Sequence, residues 1–521
     1  MDAPATNRRE WMIPLLLAVL STLAVVVSIE PFPVGVFQDD GIYTVLGKSL
    51  ATGQGYRYLN MPGAPDATHF PPLYPLVLAA LWKVYPVFPA NITLFKFANA
   101  VFIGLGALFA WRFARRSVGM GTWEAAITVG AFTTCAPIVL ISVAVMSEPL
   151  FIAALFPVLM LCHRATENEN DRTAFLAGAA GGILSLVRTL GFVVLPATVL
   201  VLAWRRRWKA CVMAAAGGLA TMLPWQLWIG AHDAGLPDVL VGKYGSYGGW
   251  LFDGMREGGL PWVMELVWFN TRHIIGGGWD LLAVNTLPAP VRFGATAAVT
   301  VLFFTGWYVL LKRAPVAALT IGGYLALVLM WPFGPQRFTF GIWPLLGLNF
   351  GLGAGALLRW RPSAGMTAVL RTAAISVCAL LAVGYAASNY RSATRRWWSS
   401  VQEYYAGRSK PMAAWVMANT PEDAIISTED DVMINLYTGR RAVPIGTFTP
   451  ADHMTPQSDE FASNALGEIL NSYDVDYVLA TTPFGLRAAH GLATGDDPRL
   501  RLAGSLELGV VFERIDRSGT R

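Results

Sequence analysis

Long apolar runs alternate with short polar turns along most of the chain, at lengths that suit a bilayer better than the core of a soluble domain. Runs at 11–29, 91–111, 122–140, 148–163, 173–188, 190–204, 210–229, 291–311, 315–332, 338–358 and 366–387 are each long enough, or nearly so, to span as a helix. They predict a polytopic α-helical membrane protein with about eleven transmembrane helices. The turns between them are not equivalent. With the N-terminus inside, the inside turns hold Arg112, Arg115 and Arg116; Arg164 and Arg172; Arg205, Arg206, Arg207 and Lys209; Lys312 and Arg313; and Arg359 and Arg361. Every inside turn is basic, which is the asymmetry that orients helical membrane proteins.

One run competes with this arrangement. Residues 71–89 are apolar enough to span, but a crossing there would put every later basic turn outside. They contain Lys83 and end in prolines, so a juxtamembrane or partly embedded helix on the outer face is expected. Runs 173–188 and 190–204 are short, with a tight outer turn near Arg188. Arg8 and Arg9 precede the first run, no small-residue cleavage site follows it, and Glu30-Pro31-Phe32-Pro33 comes next. A retained transmembrane helix is expected rather than a signal peptide.

Three segments are then left outside: 30–90, 230–290, and everything after about 388. The chain divides into a transmembrane domain, 1–387, carrying the first two as outer loops, and a soluble α/β domain, 388–521. In that domain a helix near Pro411–Ala418 leads into a strand at Ala424–Ser427, a helix at 461–471 leads into Tyr477–Ala480, and Leu502–Ile515 alternates like paired strands. Arg391, Arg395 and Arg396, just after the last span, depart from the positive-inside pattern, as long translocated domains often do. There is no internal repeat and no low-complexity tract.

Composition agrees with this reading. Of 521 residues 54% are hydrophobic and only 14% charged, against about 25% charged in a soluble domain. Mean hydropathy is +0.47. The 19 Trp and 16 Tyr suit a protein with two membrane interfaces. Net charge is +5 with no concentrated basic domain, so a nucleic-acid partner is not expected. Cys135, Cys162, Cys211 and Cys378 lie in or beside apolar runs, without a CxxC or a metal-ligand spacing, and read as small core residues.

Candidate chemistry concentrates on the outer side. The first outer loop reads Phe37-Gln38-Asp39-Asp40-Gly41-Ile42-Tyr43, followed by a helix-like stretch to Leu50. A carboxylate beside an alcohol can take its proton as general base, and a second can hold the acceptor or a divalent metal ion. The same acid pair also suits the cap of the helix that follows. Glu148, Arg188 and Arg337 stand at outer turns of the predicted bundle, where charged residues ordinarily face a cavity or one another. A carboxylate centre with fixed arginines suits a reaction on an anionic, phosphate-bearing lipid. His69 is a further polar candidate, as are Lys243-Tyr244 and Tyr247-Gly248-Gly249-Trp250 for contact with substrate. Asn91-Ile92-Thr93 matches the glycosylation sequon but abuts a span and carries no argument.

Asp39-Asp40-x-x-Tyr43, then Gly53 and Gly55-Tyr56, then Pro71-Pro72-Leu73-Tyr74, resembles the first outer loop of the GT-C superfamily of glycosyltransferases, in particular protein O-mannosyltransferases and the aminoarabinose transferases of lipid A. Ser147-Glu148-Pro149-Leu150-Phe151, Arg188-Thr189-Leu190-Gly191 and Gln336-Arg337-Phe338 resemble later landmarks of the bacterial members. The stretch from Trp415 through Gly439-Arg440-Arg441-Ala442-Val443-Pro444 is similar to the outer domain that many of them carry. The resemblance runs over nearly the whole chain, each motif being short and the match resting on their order. It implies an inverting transfer of a sugar from a polyprenyl-phosphate donor to an envelope lipid, glycan or protein, on the outer face of the bacterial inner membrane. It also implies Asp39 as base, Asp40 positioning acceptor or substrate, and Arg337 with Arg188 on the departing phosphate. Where the aminoarabinose enzymes have Glu-Lys before the double proline this chain has His69-Phe70, so their sugar specificity and a metal at that place do not carry over.

Two other classes compete. A transporter or lipid flippase would place its charges near the midplane and often show paired repeats, whereas this chain has neither a repeat nor midplane charges. A non-catalytic scaffold of envelope assembly would have little reason to keep Asp39, Asp40 and the outer arginines together.

Overall fold

The computed structural model describes residues 8–31, 33–168, 170–232, 236–245, 247–360, 367–494 and 497–516. Among the described residues the eleven apolar runs fall on helices, some unbroken and some in two or three pieces. Among the described residues six are long and apolar enough to cross a membrane unaided: Ile92–Arg116, Glu148–Glu167, Trp208–His232, Ala289–Arg313, Pro335–Arg359 and Val369–Thr394. A seventh is the pair Thr122–Thr133 and Ala136–Val143, bent by 50°. The break falls at extended Cys135, and Pro137 sits in the first turn beyond it, where a missing N–H breaks no hydrogen bond. Trp11–Val26, Thr189–Trp204 and Pro315–Leu329 are shorter apolar helices.

The helices meet through small residues. A Cβ at Gly178 would lie 1.8 Å from the Ala214 carbonyl oxygen, and one at Gly306 would lie 1.9 Å from that of Asn349. Backbone therefore touches backbone there, which is how helices associate in lipid, where burial of apolar side chains gives no net drive. The outward faces remain apolar: Leu15, Leu16, Val19, Leu20 and Leu23 are exposed along the first helix, and the Val369–Thr394 window has no buried residue.

The basic turns gather at one end of the bundle. Arg205 and Arg207 donate to the carbonyls of Thr166 and Ala165 at 2.5 and 2.8 Å, and Arg313 donates to that of Val118 at 3.3 Å. Segment 30–90 and the C-terminal domain occupy the other end. The 71–89 run forms only Leu73–Val84, a twelve-residue helix of about 18 Å at 1.5 Å per residue, too short for a hydrocarbon core of about 30 Å. Segment 230–290, expected as a loop, is mostly helical. Asp238–Tyr244 is followed by Tyr247–Leu281, kinked at Gly259 before Pro261, and the long helix packs against Pro315–Leu329 and Ala289–Arg313. The side chains of Tyr247, Gly248, Gly249 and Trp250 lie outside the described residues.

The C-terminal domain opens with helix Trp397–Asn419, longer than the expected Pro411–Ala418, and carries a five-stranded sheet ordered β2-β1-β3-β5-β4. Strands β1 (Ile425–Thr428), β2 (Arg441–Val443) and β3 (Tyr477–Ala480) are parallel; β4 (Leu500–Leu506) and β5 (Gly509–Arg514) add an antiparallel pair. Helices Asp431–Thr438, Asp459–Tyr473 and Pro483–Thr494 connect them, and the first and last carried no expectation from sequence. Segment 30–90 packs with this domain: Val34, Ile42 and Tyr58 share one hydrophobic core with Tyr244, Val443 and Ile445. The Ala442 N–H donates to the Asn60 carbonyl at 2.7 Å, extending the β2 edge. Arg396, the departure from the positive-inside pattern, pairs with Glu30 at 2.6 Å.

Candidate active site

Four charged side chains from distant parts of the chain meet where the bundle joins segment 30–90, and each stands at a helix end or break. Asp39 is the first residue of helix Asp39–Ala51, Glu148 the first of Glu148–Glu167, Arg188 the extended residue closing Asp171–Val187, and Arg337 lies in the last turn of the short helix Pro335–Thr339. Acids at helix N-termini and bases at C-termini complement the helix dipoles, so the break points favour these charges.

They form two ion pairs of different depth. Glu148 and Arg188 lie 2.9 Å apart with 0% and 8% of their side chains exposed. Arg188 also donates to Ser147 Oγ at 2.9 Å, and Tyr43 Oη lies 3.0 Å from the same oxygen. Tyr43 is one helical turn beyond Asp39 and so shares its face. Burial pushes the Tyr43 phenol up, which keeps it protonated. Asp39 Oδ2 and Arg337 form the second pair, with 26% and 27% of their side chains exposed. Solvent, and therefore a ligand, reaches this pair far more readily than the first.

The two acids that look equivalent in sequence are used differently. Asp40 is buried, at 1% exposure, and accepts the N–H groups of Gly35 and Phe37 at 2.9 Å each. Burial raises its pKa, those two amides lower it, and the neighbouring Asp39 charge raises it again. Neither residue is the helix cap: that position is Gln38, at φ +62°, with no side-chain cap bond. A non-glycine residue there costs about 1–3 kcal/mol and persists only where its surroundings impose it. The Asp40 bonds to Gly35 and Phe37 are what impose it. Gly35, at φ +99°, leaves no room for a side chain, since a Cβ would lie 2.9 Å from Met433 Cβ. The loop that aims Asp39 is thus wedged against the C-terminal domain.

The remaining candidates have partners of their own. His69 Nδ1 bonds the Gly245 carbonyl, joining segments 30–90 and 236–245. Lys243 Nζ is 3.6 Å from Asp431 Oδ1, and Tyr244 Oη donates to Asp431 Oδ2, which Asn60 Nδ2 also reaches at 3.3 Å. Lys243 and Tyr244 thus join segment 236–245 to the C-terminal domain at the buried Asp431. Between loop Gly35–Gln38 and the domain lies a cleft of about 370 Å³, lined by Tyr405, Arg408, Glu429, Asp430 and Thr482 among others. Arg408 holds Asp430 through two bonds of 2.7 and 2.8 Å. Among the described residues no group of three or more His, Cys, Asp or Glu is placed to hold a metal ion. Asp431 also lines that cleft, and Asn270 Oδ1 meets His453 Nε2 of the domain at 2.8 Å; no sequence motif marks any of the three.

A bundle with broken helices, a charged site at one end and a small α/β domain over it is a fold this chain shares with a solved membrane protein. The solved structure of ArnT from Cupriavidus metallidurans bound to undecaprenyl phosphate matches with a TM-score of 0.55, over 99% of this chain and 100% of that one, at 13% sequence identity. Its apo state matches with a TM-score of 0.55 over 98% of each chain, at 14% identity. At such identities the likeness is one of fold. No protein-family model matches the sequence, and neither does any curated protein.

Proposed function

We propose that the protein is an inverting glycosyltransferase that moves a sugar from a polyprenyl-phosphate donor to a hydroxyl of an envelope lipid, glycan or protein. It works on the outer face of a bacterial inner membrane, with the C-terminal domain outside the cytoplasm. The observation that carries this is the half-open Asp39–Arg337 pair, above a buried Glu148–Arg188 pair, in a fold shared with a protein solved with undecaprenyl phosphate. The basic turns at the opposite end support the orientation.

In this reaction Asp39 takes the proton of the acceptor hydroxyl, and the acceptor oxygen attacks the anomeric carbon from the face opposite the phosphate. The bond from that carbon to the phosphate oxygen breaks, the configuration inverts, and polyprenyl phosphate leaves with its charge stabilised by Arg337. The pairing of Asp39 with Arg337 keeps both residues ready. Arg337 neutralises Asp39 until a phosphate competes for the guanidinium, a geometry arginine binds well. Arg188, committed to Glu148 and Ser147, serves this centre from beneath, and Asp40 serves it by holding the loop. Residues 35–38 and the cleft beyond them offer the acceptor a way in from the domain side.

The test is reconstitution in liposomes with labelled undecaprenyl-phosphate sugars and an envelope extract as acceptor. Label is expected in the acceptor, with release of undecaprenyl phosphate, and Arg337→Ala is expected to slow both about a hundredfold while leaving a measurable rate. A folded wild-type protein that transfers none of the sugars offered, and binds none of the donors, would overturn the proposal.

A further inference from the structure

The turn that carries Arg337 is held from outside the site. Helix Pro315–Leu329 ends there, and the carbonyls of its last residues have no partner within the helix, as at any helix C-terminus. Asn270, fully buried on helix Tyr247–Leu281, takes two carbonyls of this region: its Nδ2 donates to Leu329 at 2.9 Å and to Trp331 at 2.8 Å. With Nδ2 placed on two carbonyls, it is the acceptor Oδ1 that faces His453 Nε2 of the C-terminal domain, 2.8 Å away. The network therefore sets both the orientation of the amide and the tautomer of His453, whose Nε2 carries the proton.

Two further contacts tie the same partners. Phe333, in the turn, stacks on Phe448 of the domain with ring centroids 4.6 Å apart and planes 13° apart. Gln336, the residue before Arg337, donates from Nε2 to the carbonyl of His273 at 2.9 Å, three residues along the helix from Asn270. From Leu329 to Gln336 the turn is thus fastened to one helix and to the domain, directly at Phe333 and through Asn270 at His453.

We infer that Asn270 is a positioning residue for Arg337, and that with His453 it makes the placement of this cation depend on the docking of the C-terminal domain. The inference rests on the role given above to Arg337. Asn270 itself touches no reacting group. It acts by fixing the turn, and a displacement of about 1 Å at a catalytic group can cost about a hundredfold in rate.

The full-length chain, purified in nanodiscs, allows two independent readouts. Amide exchange over residues 329–340 reports the clamp without reference to catalysis, while exchange over Glu148–Glu167 checks that the variant is folded. In Asn270→Ala exchange at 329–340 is expected to rise and kcat to fall by about 10- to 100-fold, with the acceptor KM within about twofold. His453→Ala should move both in the same direction, whereas His453→Gln, whose amide can replace the Nε2 donor, should restore them. In an Arg337→Ala background Asn270→Ala should lower kcat no further, because the two act through one group. Unchanged exchange at 329–340 in Asn270→Ala overturns the inference, and so do effects of Asn270→Ala and Arg337→Ala that simply multiply. If exchange responds as described while no variant, nor the wild type, transfers sugar, the clamp stands and the reading of the reaction fails.

Discussion

Replacing Asp39 by Asn separates a catalytic acid from a structural one with little change of shape. The substitution removes one charge from a pair whose members are 26% and 27% exposed. Such partly open pairs contribute up to about 1 kcal/mol, and the Asn oxygen can still accept from Arg337, so the loss of stability is expected to stay below about 1 kcal/mol. Loss of a general base costs about 10²–10⁴ in rate, or about 3–5 kcal/mol of barrier. The two effects therefore differ in size and in the measurement that reveals them. Turnover of a labelled polyprenyl-phosphate sugar in proteoliposomes should fall at least a hundredfold, while the thermal transition in detergent moves by a few degrees at most. Donor binding should survive, since Arg337 is intact and now unopposed. Transfer within about threefold of wild type would refute the assignment of Asp39 as base. A large drop in the transition that accounts for the lost activity would refute it too, by showing that the residue is a brace.

Other positions should behave in the opposite way. Glu148→Gln leaves the buried Arg188 charge without its partner, and about 3–5 kcal/mol of stability should be lost in detergent denaturation. The double variant Glu148→Gln with Arg188→Met should lose less than that single change, and an equal or greater loss would argue against a buried pair. Asp40→Ala orphans the Gly35 and Phe37 amides at about 1–3 kcal/mol each and frees the loop, so denaturation and kcat should both suffer; an unaltered transition would show that the loop does not depend on it. Burial, and then the neighbouring His273, hold His453 below its ordinary pKa of 6.5, so the docked domain resists protonation there. The stability this histidine contributes is full above about 6.5 and is lost as pH falls through the lowered value. Amide exchange at 447–453 should therefore be steady above pH 7 and rise below 6.5 in wild type, but stay flat in His453→Gln; an identical rise in both would assign the effect to another group.

How much of this was legible in the sequence depended on the range of the force involved. The spans were legible because twenty apolar residues in a row have few alternatives, and Tyr477–Ala480 because a short buried strand is written in consecutive residues. Helix Tyr247–Leu281 was not, because its glycines, a proline and scattered charges hide a period that packing restores. Asp39 and Asp40 are indistinguishable as letters, yet neighbouring helical residues point about 100° apart, which sends one carboxylate into the loop amides and the other toward Arg337. The sequence marks His69, Lys243 and Tyr244 only as polar or aromatic candidates for contact with substrate. Their partners, Gly245 and Asp431, are fixed only by tertiary contact. Asn270 offered one weak sign, an amide between the apolar Val267-Trp268-Phe269 and a polar turn, which a single sequence cannot tell from an ordinary interfacial residue.

The two ion pairs have different consequences for the order of events in the proposed reaction. The Glu148–Arg188 pair is sealed, so its charges set a fixed field and take no part in exchange. The Asp39–Arg337 pair is open enough for a third charge to enter. A donor phosphate that takes the guanidinium leaves Asp39 without its cation and beside a new anion. The carboxylate oxygen released by Arg337 is then free to take the proton at the moment an acceptor hydroxyl has something to attack. An acceptor arriving first meets an Asp39 still neutralised by Arg337, and so does water. The ion pair thereby favours transfer over waste of the donor in the proposed reaction: the group that would receive the leaving phosphate is also the one that occupies the base until that phosphate is present.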